Sequence, residues 1–250
     1  MTDQKYIAFV GDSFCASYGS STSLSGNKHQ ASVVGTAYPT VVGDHYQYAV
    51  APYGFVGKSW WYSWSKFYKD WASKFDQIEA IVFTHTDYAR INSAVSDEFP
   101  LMNSASVVAN SMARVNEDYF KYIHDQDFNS WAQEQYFKML KEKFSNIRTI
   151  HLHCYDFSVQ QSYLLPGMVF TTSLTQISVG ETKGPKKEIT KAFADGRPNH
   201  MNCYNNQVLA DIIIQALDNY VPGEYKLPLE KFQQPNPNAA NWPHGVYWTE

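Results

Sequence analysis

Tyr6-Ile7-Ala8-Phe9-Val10-Gly11-Asp12-Ser13-Phe14 is the stretch on which the reading of this chain turns. Five apolar or aromatic residues in a row, ending in glycine and then in short polar residues, predict a buried strand with an abrupt exit. In an open α/β sheet, ligands bind beyond the carboxyl ends of the strands, and a glycine there permits the tight turn that presents the next side chain. Ser13 is therefore a candidate nucleophile. Asp and Ser are also the preferred residues for capping a helix, so a capping role for Asp12 or Ser13 is the alternative reading of these residues alone.

Further apolar runs at 46–51, 80–84 and 147–154 read as strands, separated by longer segments of helical or loop character. That alternation predicts an α/β fold with a parallel sheet. Trp60, Trp64, Phe67, Tyr68, Trp71 and Phe75 recur every three or four residues, which predicts a helix with an aromatic face turned to the core. Trp61 and Tyr62 lie off that face and are candidates for lining a substrate groove. Residues 104–144 read as two helices joined near Asp125-Gln126-Asp127, and 157–184 as an irregular insertion bordering a cleft. Asn202 is placed to cap a last helix with Val208, Leu209, Ile212, Ile213, Ala216 and Leu217 on its apolar face, terminated at Val221-Pro222-Gly223. One domain is expected over 1–222, with insertions at about 88–145 and 157–190, followed by an extended Pro- and Asn-rich tail over 223–250 that wraps the domain or reaches a partner.

The 250 residues carry a formal net charge of −4, so the basic excess that would draw a phosphate backbone is missing and nucleic acid is not an expected partner. Cys15, Cys154 and Cys203 are odd in number and show no paired spacing, which argues against a disulfide framework or a zinc ribbon. No apolar run approaches 18 residues and no secretory signal opens the chain, so a protein off the membrane, cytoplasmic or associated with a larger particle, is expected. His151 and His153 alternate on one face of a strand and His85 ends another. Imidazoles so arranged can hold a transition metal, but without a matching carboxylate they read as solvent-facing strand residues, and no metal is expected. Arg90, three residues after Asp87, could bind an anionic substrate group or pair with that aspartate, and the pairing is the expected role.

A serine becomes a useful nucleophile when an imidazole takes its proton and a carboxylate orients that imidazole. Asp195-Gly196-Arg197-Pro198-Asn199-His200 offers both groups in a loop just before the last helix. With these residues in view, the chain resembles the SGNH or GDSL hydrolase superfamily. Gly11-Asp12-Ser13 matches the block holding the nucleophile, and Gly54-Phe55-Val56-Gly57-Lys58-Ser59 matches the second block, with Gly57 as the backbone donor to the oxyanion. Thr84-His85-Thr86-Asp87 falls on the third block, where Thr86 stands in place of the asparagine donor. Asp195 to His200 falls on the fifth, with two residues more than the usual Asp-x-x-His.

The resemblance implies a three-layer α/β/α fold like flavodoxin and ester hydrolysis through an acyl-enzyme, with O-acetyl groups on a carbohydrate as one substrate class and no cofactor. Ser13, Asp195 and His200 would be the catalytic residues, and Ser13, Gly57 and Thr86 the oxyanion donors, with His85 as a replacement donor. Trp61, Tyr62 and His85 would contact the substrate. A hydrolase-shaped binding or assembly module, self-associating or docking through its tail, is the reading from another class.

Overall fold

In the computed structural model the described residues are 4–15, 37–55, 58–88, 90–92, 100–101, 118–119, 121–178, 201 and 203–233. The first strand, β1 (Tyr6–Gly11), is followed at once by a single 3-10 turn over Ser13–Cys15. Then come α1 (Tyr38–Tyr46), β2 (Ala49–Gly54), α2 (Trp60–Trp71), β3 (Ile78–His85), the short antiparallel pair β4 (Ile91–Asn92) and β5 (Pro100–Leu101), and α3 (Gln126–Phe144). The chain continues through β6 (Arg148–His153), β7 (Met168–Ser173), α4 (Cys203–Asp218) and β8 (Gly223–Tyr225).

Six strands form one parallel sheet in the order β2-β1-β3-β6-β7-β8. Side chains alternate across it, and each face has its own core. Ile7, Phe9, Val82, Ile150 and Leu152 belong to the side that also buries Tyr38 and Val42 of α1 and Leu209, Ile213 and Leu217 of α4. Ala8, Val10, Ile81 and Phe83 belong to the other, with Trp64, Phe67 and Trp71 of α2 and Phe137, Leu140 and Phe144 of α3. This is the three-layer α/β/α arrangement that the resemblance implied, built on the parallel sheet expected from the alternating pattern. Each fully buried Leu, Ile or Phe contributes about 1.5–3 kcal/mol, so the two faces supply the main driving force for the sandwich.

The chain leaves β1 toward β2 on one side and returns past it to β3 on the other, so the strand order reverses between β1 and β3. At such a reversal the loops diverge and leave a crevice beyond the strand ends. Gly11 is required there: a Cβ on it would come 2.4 Å from the Thr84 carbonyl oxygen of β3.

Three expectations change. The second strand begins at Ala49, not Tyr46, because Tyr46 ends α1 and donates its hydroxyl to Ile214 O of α4, while Gln47 takes a left-handed conformation (φ 55°) that turns the chain. The insertion expected to be irregular over 157–184 contains β7, entered through Gly167 at φ 73°, where a side chain would strike Thr149. The boundary at 222 also moves. β8 pairs with β7, and Leu227 and Phe232 are buried in the core, so the start of the expected tail is part of the domain at least to 233. Asn202 and the remainder of the tail lie outside the described residues.

Candidate active site

Asp12 organises the site. It is wholly buried at the end of β1, and four donors converge on its carboxylate. Phe14 N–H donates to Oδ1 at 3.0 Å, closing a local Asx-type turn around Ser13. Cys154 Sγ donates to Oδ1 at 3.3 Å, Thr86 Oγ1 to Oδ2 at 2.8 Å and Arg90 Nη1 to Oδ2 at 2.9 Å. Cys15 N–H in turn donates to the Asp12 carbonyl at 3.2 Å, which completes the 3-10 turn. The ends of the three central strands β1, β3 and β6 are thereby tied together through one carboxylate.

Arg90, expected to pair with Asp87, makes its buried ion pair with Asp12 instead. Its other terminal nitrogen, Nη2, donates to the Tyr155 hydroxyl at 2.7 Å, and the guanidinium lies 5.5 Å from the centre of the Tyr155 ring. Burial opposes the charge on Arg90, but Tyr155 and the carboxylates of Asp12 and Asp87 outweigh it and hold the guanidinium protonated beyond its ordinary range. The thiols of Cys15 and Cys154 are pushed up by burial and then by Asp12, so both stay protonated. Cys15 is a core residue.

Ser13 sits in the 3-10 turn directly after β1, largely buried at 8% exposure. Thr86 is buried beside Asp12, at 1% exposure. Its hydroxyl has one proton, and that proton is directed to Asp12, so donation to an oxyanion would require this bond to be exchanged. Trp61 is 42% exposed on α2. The Tyr62 ring beside it is approached by Lys58 Nζ at 5.1 Å and Lys66 Nζ at 5.4 Å and meets Phe55 edge-on. Gly57, Asp195 and His200 lie outside the described residues.

The histidines depart most from expectation. His151 and His153 do not face solvent; both are fully buried with His85 on the α3 side of the sheet. His85 Nε2 and His151 Nδ1 share a hydrogen bond of 2.9 Å, and the His85 ring meets Phe137 of α3 edge-on. His85 therefore lies beneath a helix and not along an open groove. Burial lowers all three, His85 and His151 well below the ordinary histidine range and His153 to about 3, so all are neutral. Among the described residues no group of three or more His, Cys, Asp or Glu side chains is arranged to hold a metal ion. Among them, too, no helix is long and apolar enough to cross a membrane.

The structure thus ties Thr86 and the turn carrying Ser13 to one carboxylate, puts Trp61 and Tyr62 on α2, and buries His85 against α3. Sequence reasoning missed the Asp12, Arg90, Tyr155 and Cys154 network. Its one legible trace was an acidic residue and an arginine, each just past the end of an apolar run.

No family model matches the chain, and no curated protein matches it. Among solved structures it is similar to a protein from Desulfitobacterium hafniense DCB-2 assigned to the G-D-S-L family of lipolytic proteins, at 11% identity and a TM-score of 0.43, covering 85% of this chain and 99% of that one. A carbohydrate esterase is similar at 14% identity and a TM-score of 0.42, over 86% of this chain and 65% of that one. A lipase/acylhydrolase from Enterococcus faecalis is similar at 13% identity and a TM-score of 0.44, over 89% of this chain and 100% of that one. Likenesses this distant describe what the chain is similar to; the functional reading is carried by its own residues.

Proposed function

We propose that this protein hydrolyses an ester with Ser13 as the nucleophile, and that the substrate class is a carbohydrate carrying O-acetyl groups. The observation that carries the reading is the position of Ser13, on a tight turn immediately beyond β1, where the strand order reverses and the preceding carboxylate is anchored from three strands. A backbone turn fixed there sets the point from which the serine side chain projects, and prior positioning of a nucleophile lowers the barrier to acyl transfer.

In the proposed reaction Ser13 Oγ attacks the ester carbonyl carbon while His200 takes the Ser13 proton, with Asp195 orienting the ring and stabilising its charged form. The tetrahedral intermediate places its oxyanion on the backbone N–H groups of Ser13 and Gly57, for which donor distances of about 2.7–3.1 Å are needed. Collapse expels the alcohol, which receives the proton from His200, and leaves an acyl-Ser13 that water hydrolyses by the same sequence in reverse. The exposed Trp61, with Tyr62 beside it, supports a sugar-like alcohol, since flat aromatic faces stack on apolar ring surfaces.

The test is turnover of a panel of small acetyl esters by the parent and by Ser13→Ala, with fluorophosphonate labelling in parallel. Ser13→Ala is expected to lose activity by on the order of 10³-fold or more with its melting temperature nearly unchanged. Turnover that survives the substitution would refute the proposal. The direction of the Thr86 hydroxyl, toward Asp12 instead of outward, favours a second reading, a hydrolase-fold binding module with weakened catalysis. Rapid stoichiometric labelling at Ser13 would dismiss it.

A further inference from the structure

Four donors meet the Asp12 carboxylate, but only Arg90 brings a full positive charge, and it brings it into a fully buried setting. A carboxylate taken out of water without a charged partner is strongly disfavoured and would turn away toward solvent. Such a change would alter what Oδ1 offers to the Phe14 N–H, a hydrogen bond that closes the turn carrying Ser13. The guanidinium is a rigid planar fork, and here it spans two partners instead of gripping one: Nη1 holds Asp12 beyond β1 and Nη2 holds the Tyr155 hydroxyl beyond β6. Nε, also buried, has no hydrogen-bond partner among the described residues, so the fork is aimed by these two contacts. Lysine could place a charge near Asp12, but a single ammonium lacks the planar, divergent pair of donors.

We propose that Arg90 is a positioning residue for Ser13: by bridging Tyr155 to Asp12 it fixes the Asp12 carboxylate, and through the Asp12 to Phe14 hydrogen bond it holds the serine turn in its attacking geometry. The proposal rests on Ser13 being the nucleophile. It assigns Arg90 a role at the site distinct from charge balance with Asp87.

The experiment is fluorophosphonate labelling of the full chain, separating the maximal labelling rate from the concentration giving half that rate, for the parent, Arg90→Gln, Arg90→Lys, Tyr155→Phe and Ser13→Ala. All are measured well below their melting temperatures, with circular dichroism recorded beside each. A residue that merely supports the fold lowers the melting temperature and leaves the maximal rate of the folded fraction intact. The expected result is a maximal rate lowered about tenfold or more in Arg90→Gln, less in Arg90→Lys and a few-fold in Tyr155→Phe, with the half-saturating concentration little changed. Folded Arg90→Gln labelled at the parental rate would overturn the proposal. Should Arg90→Gln fail to fold, parental maximal rates in both Arg90→Lys and Tyr155→Phe would overturn it equally. A parent that labels no faster than Ser13→Ala would remove the nucleophile itself, and the proposal with it. That outcome is distinguishable, because it shows in the parent and not in the Arg90 variants.

Discussion

Thr86 Oγ1 donates to Asp12 Oδ2 across 2.8 Å, joining the end of β3 to the end of β1 inside the buried site. Valine at position 86 keeps the branched shape and deletes the donor, leaving Asp12 one hydrogen bond short in a place water does not reach. Thr86→Val should lower stability by about 1–3 kcal/mol in urea denaturation. An unchanged denaturation midpoint would mean that the bond contributes nothing to the fold.

The Asp12 and Arg90 ion pair is buried on both sides, so removing one member should cost more than removing both. Arg90→Met and Asp12→Asn should each destabilise by roughly 3–5 kcal/mol, while the double variant falls well short of their sum. A double-mutant cycle by chemical denaturation reads this directly, and strict additivity would show that the two charges are not coupled.

Gly11 allows β1 to run against β3 at the mouth of the crevice. Alanine would bring Cβ to 2.4 Å from the Thr84 carbonyl oxygen and 2.8 Å from its Cβ, contacts that only a spreading of the two strands relieves. Gly11→Ala should destabilise by about 1–3 kcal/mol or more, and a melting temperature equal to the parent's would contradict this packing.

The three buried histidines predict a stability that falls toward acid. Their folded values lie below the unfolded value of 6.5, to about 3 for His153, so between these limits the unfolded chain binds protons that the folded chain refuses. Their contribution is complete above pH 6.5 and is lost as the pH falls. At pH 5 each histidine still neutral in the fold should have removed about 2 kcal/mol. His153→Asn should flatten the slope of stability between pH 7 and 5 by about a third, if the three act alike. Urea denaturation across that range is the measurement, and a slope identical to the parent's would clear His153 of any part in it.

Where the polypeptide carries period and punctuation, it could be read without coordinates. The run from Tyr6 to Gly11, the apolar face of α4 and most of the aromatic stripe of α2 became the elements expected of them, because each buries a side determined by neighbours a few residues away, although Tyr68 is exposed and Phe75 falls in a turn beyond the end of α2 at Trp71. β7 and β8 were not legible: Met168–Ser173 is half threonine and serine, and Gly223–Tyr225 is too short to show a period. Both are strands because a neighbouring strand edge supplies their hydrogen bonds. Arg90 was misassigned for a related reason, since proximity in sequence favoured Asp87 while the ion pair formed with a residue 78 positions away.

The order of residues by itself therefore determined the strand-and-helix alternation and the placement of a serine just beyond the first strand, both consequences of local periodicity and of a glycine exit. Only the tertiary structure decided which charges meet and which imidazoles lose water. Burial of Asp12, Arg90 and the three histidines depends on strands β1, β3 and β6 lying side by side, and that adjacency is a property of the whole sheet.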